Sequence, residues 1–108
     1  MNIIRDSDEE SIELYCQDTK ATFRISILNK CRNAAFLSCL VVNENDRKNG
    51  FGTKALSDAE DIAHENGCNV ISLQVKSNSW MEWWYEKHGY IQVGDGYYEN
   101  MTLMSKRL

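Results

Sequence analysis

The apolar run AAFLSCLVV (Ala34–Val42) is followed, after a short polar stretch, by RKNGFG (47–52) and then by a segment of helical period. This order constrains the chain more than any other feature. The run is too short for a typical helix between its polar flanks and reads as a mostly buried strand. Placing residues about 100° apart from Gly50 onward puts Phe51, Ala55, Leu56, Ala59, Ile62 and Ala63 on one helical face. Lys54, Ser57, Asp58, Asp61, His64 and Glu65 fall on the other. A strand, a glycine turn and such a helix aim the free N–H groups of the helix's first turn toward one point, at the positive end of its dipole. Gly50 and Gly52 remove side chains that would hold an anion away, and Arg47 and Lys48 add charge, so the turn suits a phosphate. Glycine and basic residues also serve tight, solvated turns that bind nothing.

Period and punctuation organise the rest. Ile12, Leu14 and Cys16 alternate with polar positions, as do Phe23, Ile25 and Ile27, which predicts two half-buried antiparallel strands joined near residues 17–20. The acidic stretch RDSDEE before them reads as a solvated edge without a role. Gly67 supplies a stop for the long helix, and residues 70–75 supply a strand running parallel to Ala34–Val42 through a strand–helix–strand crossover. A short helix is expected over 79–88, ended by Gly89. Strands at 90–93 and 98–104, with a turn at Gly94, Asp95 and Gly96, complete a terminal hairpin. The fold class is α/β, a mixed and mostly antiparallel sheet with a central parallel pair, a long helix and a short one.

With 108 residues, no proline and no low-complexity linker, residues 1–108 form one domain large enough to bury a core without staples. Cys16, Cys31, Cys39 and Cys68 have neither metal-finger nor CxxC spacing, so no metal is expected and reduced thiols in a cytoplasmic protein are. The opening MNIIRDSDEE lacks the apolar stretch of a signal peptide, and no run reaches membrane-spanning length. A net charge of −4 argues against nucleic-acid binding and accords with a cationic amine substrate.

LVVNENDRKNGFGTKAL, NVISLQVKSN and WYEKHGY, in this order over about the last two thirds of the chain, resemble the GNAT acyltransferases that use acetyl-coenzyme A. The spacing fits neither a Walker A loop nor a GxGxxG fingerprint. The resemblance implies that Leu40, Val41 and Val42 pair with the pantetheine arm through backbone groups. It implies that Arg47, Lys48, Asn49, Gly50, Phe51, Gly52 and Thr53 surround the pyrophosphate, and that Asn78, ending the parallel strand, belongs to the cofactor site. Arg47 either bonds phosphate or shapes the loop. An N–H near Val41 or Val42 would stabilise the thioester oxygen as charge develops. Tyr85 occupies the family's tyrosine position and is the expected acid for the leaving thiolate. The same helical count places Trp80, Trp84, Met81 and His88 inward, with Tyr85 at the inner edge.

The implied activity is acetyl transfer to a small-molecule or protein amine by direct attack in a ternary complex. Its alternative is a non-catalytic coenzyme A-binding or protein-interaction module on the same fold. Family members that place a glutamate base on the strand before the loop have it where this chain has Phe36, so a direct carboxylate base is excluded there. A lysine amine with a pKa of about 10.4 is rarely neutral at pH 7, which favours an α-amine near about 8 or a water-mediated route. Typical members carry two helices between the first two strands; the residues before Ile12 cannot hold them, so the acceptor pocket is open or closed by a second subunit. Cys39 reads as a structural strand thiol, His88 as a packing or helix-ending residue, and His64 as solvated. Trp83 points away from the inward residues, which suggests a partner, substrate or homodimer surface, although single exposed aromatics also occur without function.

Overall fold

A computed structural model describes residues 2–18, 20–42 and 50–108; the expected phosphate-loop residues Arg47, Lys48 and Asn49 lie outside them. Seven strands and two helices occur among the described residues, in the order β1 (Asn2–Ser7), β2 (Ser11–Gln17), β3 (Ala21–Leu28), β4 (Ala34–Val42), α1 (Phe51–Glu65), β5 (Val70–Lys76), α2 (Trp80–Lys87), β6 (Ile91–Asp95) and β7 (Met101–Arg107). They form one sheet ordered β1-β2-β3-β4-β5-β7-β6, antiparallel except for β4 and β5. Both helices lie on one face. Ala55, Leu56, Ala59, Ile62 and Ala63 of α1 and Tyr85 of α2 join the alternate residues of β2 to β5 in a single core cluster. α1 packs on β3 and β4, and α2 on β5. The opposite face, with Glu13, Tyr15, Arg24, Ser26 and Gln74 half-exposed, carries no helix among the described residues.

Alternation explains this layering, because β2 and β3 each place every second residue in the core and leave the others polar. β1 pairs along its whole length with β2, Ile3 opposite Cys16 and Arg5 opposite Leu14, yet every residue in it is exposed. Its second half, read as a solvated edge, is exposed as expected, and residues 5–7 in addition pair within an edge strand. With neither face buried, it has no hydrophobic period to reveal it. A tight turn at 8–10, in which Asp8 Oδ1 accepts the N–H groups of Glu10 (2.8 Å) and Ser11 (2.9 Å), joins β1 directly to β2, with no helix between them.

Two expectations are revised. The C-terminal turn falls at residues 96–100, and Gly94 and Asp95 belong to β6, which carries a bulge between Gln92 and Gly94. Gly96 marks the tight point, since a Cβ there would lie 2.6 Å from Met101 Cβ and 2.8 Å from Gln74 Oε1. In α2 the buried residue is Tyr85, at 4% exposure, whereas Trp80 is 64% exposed. Trp80 opens the helix and overhangs the layer, while Tyr85 stands edge-on between Trp84 (5.0 Å) and Tyr90 (5.4 Å). Met81, Trp84 and His88 are half-buried, and Trp83 is exposed under the Lys87 ammonium, 4.4 Å from its ring.

Candidate active site

The site starts from a defect in β4. β3 pairs with β4 as Ser26–Phe36, Ile25–Leu37 and Arg24–Ser38, then as Thr22–Val41 and Ala21–Val42, so one extra residue is inserted after Ser38. Cys39 sits there with φ 56°, in the left-handed region. The insertion reverses which side chains face inward: Ala35 and Leu37 are buried before it, and Leu40 and Val42 are the half-buried residues after it. Cys39 is thereby turned out and exposed, which corrects its reading as an ordinary packed strand thiol.

On its other edge β4 pairs with β5 only from Ala34–Val70 to Phe36–Ser72. Beyond that point the two strands separate around a cleft of about 270 Å³ whose walls include Leu37, Cys39 and Leu40 on one side and Leu73, Val75 and Tyr85 on the other. A groove of about 450 Å³ between Leu40, Val41 and Val42 and the α2 residues Trp80, Met81 and Trp84 runs on from it to Gly52, sharing Leu40 and Met81 with the cleft. The cleft lining contains no carboxylate and no histidine among the described residues.

At the far end of the groove α1 begins. Gly50 is the N-cap with φ 78°, supplies no side-chain cap, and is followed by a first turn without an acidic residue. Lys54 is the first residue whose N–H bonds back, to Gly50 O at 3.1 Å. The N–H groups of Phe51, Gly52 and Thr53 have no partner among the described residues, leaving a helix terminus that suits an anion. A Cβ added at Gly52 would stand 3.5 Å from Trp84 and 3.7 Å from Val42, so any larger side chain must enter the groove between them. Phe51, expected on the inner face, is only half-buried and packs under Lys20, 4.1 Å from its ring centre. Thr53 is exposed and its hydroxyl lies 3.2 Å from His88 Nε2, a link between residues 35 apart that no sequence period signals.

Tyr85 reaches the cleft from below. Its hydroxyl has no hydrogen-bond partner among the described residues, and burial pushes its pKa up to about 12. The neutral, proton-bearing form is therefore held across the physiological range. Asn78 adopts the left-handed conformation, φ 57°, at the end of β5, and its N–H donates to Glu82 Oε2 (2.8 Å) while Ser79 caps α2. It is exposed and lines neither the groove nor the cleft. Phe36 lies on the open face, edge-on to Tyr97 at 5.9 Å. The turn bearing Tyr97 is tied to β5 by its N–H on Gln74 Oε1 (2.9 Å), a contact the sequence reading missed because the two glycines of GDG offered competing turn positions.

A parallel β4–β5 pair connected through a helix that starts at a glycine matches the architecture implied by the motifs. A model of the acetyltransferase (GNAT) family matches residues 5–90. The chain belongs to this family. An acetyltransferase from Bacillus cereus ATCC 14579 is similar, at 26% identity and TM-score 0.69, covering 92% of this chain and 74% of that one. The PaiA N-acetyltransferase from Thermoplasma acidophilum, solved in complex with coenzyme A, shares the fold at TM-score 0.73 and 18% identity, over 92% of this chain and 62% of that one. A GNAT acetyltransferase from Elizabethkingia anophelis with acetyl-CoA bound does so at TM-score 0.69 and 14% identity, over 92% of this chain and 77% of that one. No protein with a curated description matches the chain. The GNAT fold is thus present, with a parallel β4–β5 pair and two helices among the described residues. No described helix is long and apolar enough to cross a membrane, and no group of His, Cys, Asp or Glu among the described residues is placed to hold a metal.

Proposed function

We propose that this chain is an acetyl-CoA-dependent N-acetyltransferase that brings the thioester and an amine together in one ternary complex. The observation that carries the reading is the continuous groove from the partnerless N–H groups of Phe51, Gly52 and Thr53, along β4, to the hydroxyl of Tyr85. The chemistry of these donors fits the cofactor: amides at a helix terminus for its diphosphate, the Leu40–Val41 edge of β4 beyond its pairing with β5 for its amides, and apolar walls for its methylenes. Gly50 and Gly52 keep the terminus open, and Arg47, Lys48 and Asn49 are proposed to complete it. Leu40, Val41 and Val42 present the backbone edge. When bound, the thioester supplies an activated acyl carbon. An N–H of Val41 or Val42 is the proposed donor to its oxygen, and Tyr85 Oη the proposed donor to its sulfur. Asn78 is proposed to act by setting the start of α2, because its side chain lines neither cavity.

The acceptor enters from the open sheet face, past Phe36 and the Tyr97 turn. With no carboxylate or histidine lining the cleft among the described residues, an amine that is already partly neutral is favoured, which points to α-amino groups of peptides or to small amines of similar basicity. The bare face and the missing helix pair also support a second reading, a coenzyme A-binding module without turnover, or one whose acceptor pocket a second subunit completes. Thiol release from acetyl-CoA, measured with matched peptides carrying a free α-amine or only a lysine amine, separates these. Faster transfer to the α-amine is expected. Faster transfer to lysine contradicts the acceptor argument, and binding without transfer to any amine favours the second reading.

A further inference from the structure

His88 stands where α2 ends, three residues beyond Tyr85, and makes two directed contacts. Its Nδ1 is 2.8 Å from the carbonyl oxygen of Trp84, and its Nε2 is 3.2 Å from Thr53 Oγ1. A carbonyl only accepts, so Nδ1 carries a proton whatever the charge of the ring, and Nε2 is the atom whose protonation can change. When Nε2 is bare, it accepts the Thr53 hydroxyl proton, and that proton is turned into the protein. When Nε2 is protonated, it donates to Thr53 Oγ1, and the hydroxyl proton is released to a partner outside. Thr53 is one of the three first-turn residues whose backbone N–H is free. Protonation of His88 therefore places a positive charge behind that turn and adds one hydroxyl donor to its amides.

We propose that His88 is a proton-controlled binding residue of the diphosphate site, acting through Thr53. The inference rests on the cofactor reading above and extends it to a residue that the motifs do not mark. An anion at the first turn favours the charged imidazole, so by linkage a charged imidazole favours the anion. Among the described residues no carboxylate pairs with the imidazole. From α1 the contact is Thr53, and from α2 it is Trp84, whose ring centre is 4.3 Å from the imidazole. The neighbouring charged groups have other partners: Lys54 on Asp58 (2.9 Å), Lys87 over Trp83, Glu86 with Gln92 (3.2 Å), and Lys106 on Glu60 (3.1 Å).

The test uses dephospho-coenzyme A, whose diphosphate keeps a constant charge over the pH interval used, so that any pH dependence belongs to the protein. Calorimetry on the full chain should show Kd falling about 5–10-fold between pH 8 and pH 6, with less than about twofold change in His88→Gln. Imidazole NMR of the wild type gives a second readout, with His64 as internal control, since the chain has 2 histidines. The His88 midpoint should rise by about one unit on saturation, the shift that a 5–10-fold change in Kd requires, and that of His64 should stay. A flat wild-type profile, a slope that persists in His88→Gln, or an unmoved His88 midpoint overturns the proposal alone. No binding at any pH overturns the cofactor reading and this proposal with it.

Discussion

Replacing Tyr85 by Phe removes one hydroxyl from a ring that is 4% exposed and wedged between Trp84 and Tyr90. The ring contacts survive, and no described donor or acceptor loses a partner, so stability should change by less than about 1 kcal/mol. The catalytic effect follows from the acidity of the group. Against a thiol of about 8.5, a free tyrosine near 10 faces a gap of about 1.5 units, and burial up to about 12 widens it to about 3.5, or about 5 kcal/mol for complete transfer. Burial thus makes Tyr85 a poorer acid than the sequence alone implies. In the proposed role its contribution would be a hydrogen bond that strengthens as charge grows on sulfur, which places the expected loss toward the lower part of the usual range, about 10²–10³-fold in kcat. Thiol-release kinetics at saturating amine, with calorimetric Kd for acetyl-CoA, provide the measurement. Since the hydroxyl stays protonated, the wild type should lack an alkaline limb from this group. A kcat within about threefold of wild type at unchanged Kd refutes the assignment.

Other perturbations probe the frame that holds the site. Glu60 of α1 accepts from Tyr90 Oη (2.9 Å) and pairs with Lys106 (3.1 Å), so Glu60→Ala orphans a hydroxyl on a 2% exposed residue and an ammonium. A loss of about 2 kcal/mol and a Tm lowered on the order of 10 °C are expected by calorimetry, and an unchanged Tm contradicts this. At the β4 bulge, Cys39→Val forces a β-branched residue to φ 56° and should cost about 1–2 kcal/mol in urea titration. Cys39→Gly should be near neutral, and equal losses from both would mean the bulge is not what constrains this position. Burial alone would raise the Glu13 pKa, but hydrogen bonds from Arg24 and Ser26, the Arg24 charge and Ser11 together lower it. A lowered folded pKa contributes stability above the unfolded value of 4.5 that is lost as pH falls through the folded one. Glu13→Gln should therefore be less stable than wild type at neutral pH and equal to it in strong acid, a difference that pH-dependent urea midpoints measure.

What the sequence disclosed follows from which residues have a repeating environment. α1 and β4 were legible to the residue or nearly so, because one carries a full amphipathic period and the other an unbroken apolar run. The same run hid the bulge: every position near Cys39 is small or apolar, so the change of facing leaves no trace in the pattern. β1 buries nothing and so leaves no period, and in α2 only Trp80 departs from the expected inner face, because eight residues with three tryptophans give no sharp period. Gly52 and Tyr85 were identified by motif and stand at the two ends of one groove. Thr53–His88 and Gln74–Tyr97 join residues distant in sequence, and only the folded chain brings them together.

Acetyl-CoA binding to wild type and to Gly52→Val, compared by calorimetry, tests the central claim most directly. A Cβ at this position meets Trp84 and Val42 at ordinary contact distance, so the variant should fold while its methyl groups occupy the groove beside the free N–H groups. The account predicts saturable binding by the wild type and at least about tenfold weaker binding by a variant with unchanged circular dichroism. Equal affinity in both proteins, or no binding by the wild type, would contradict it.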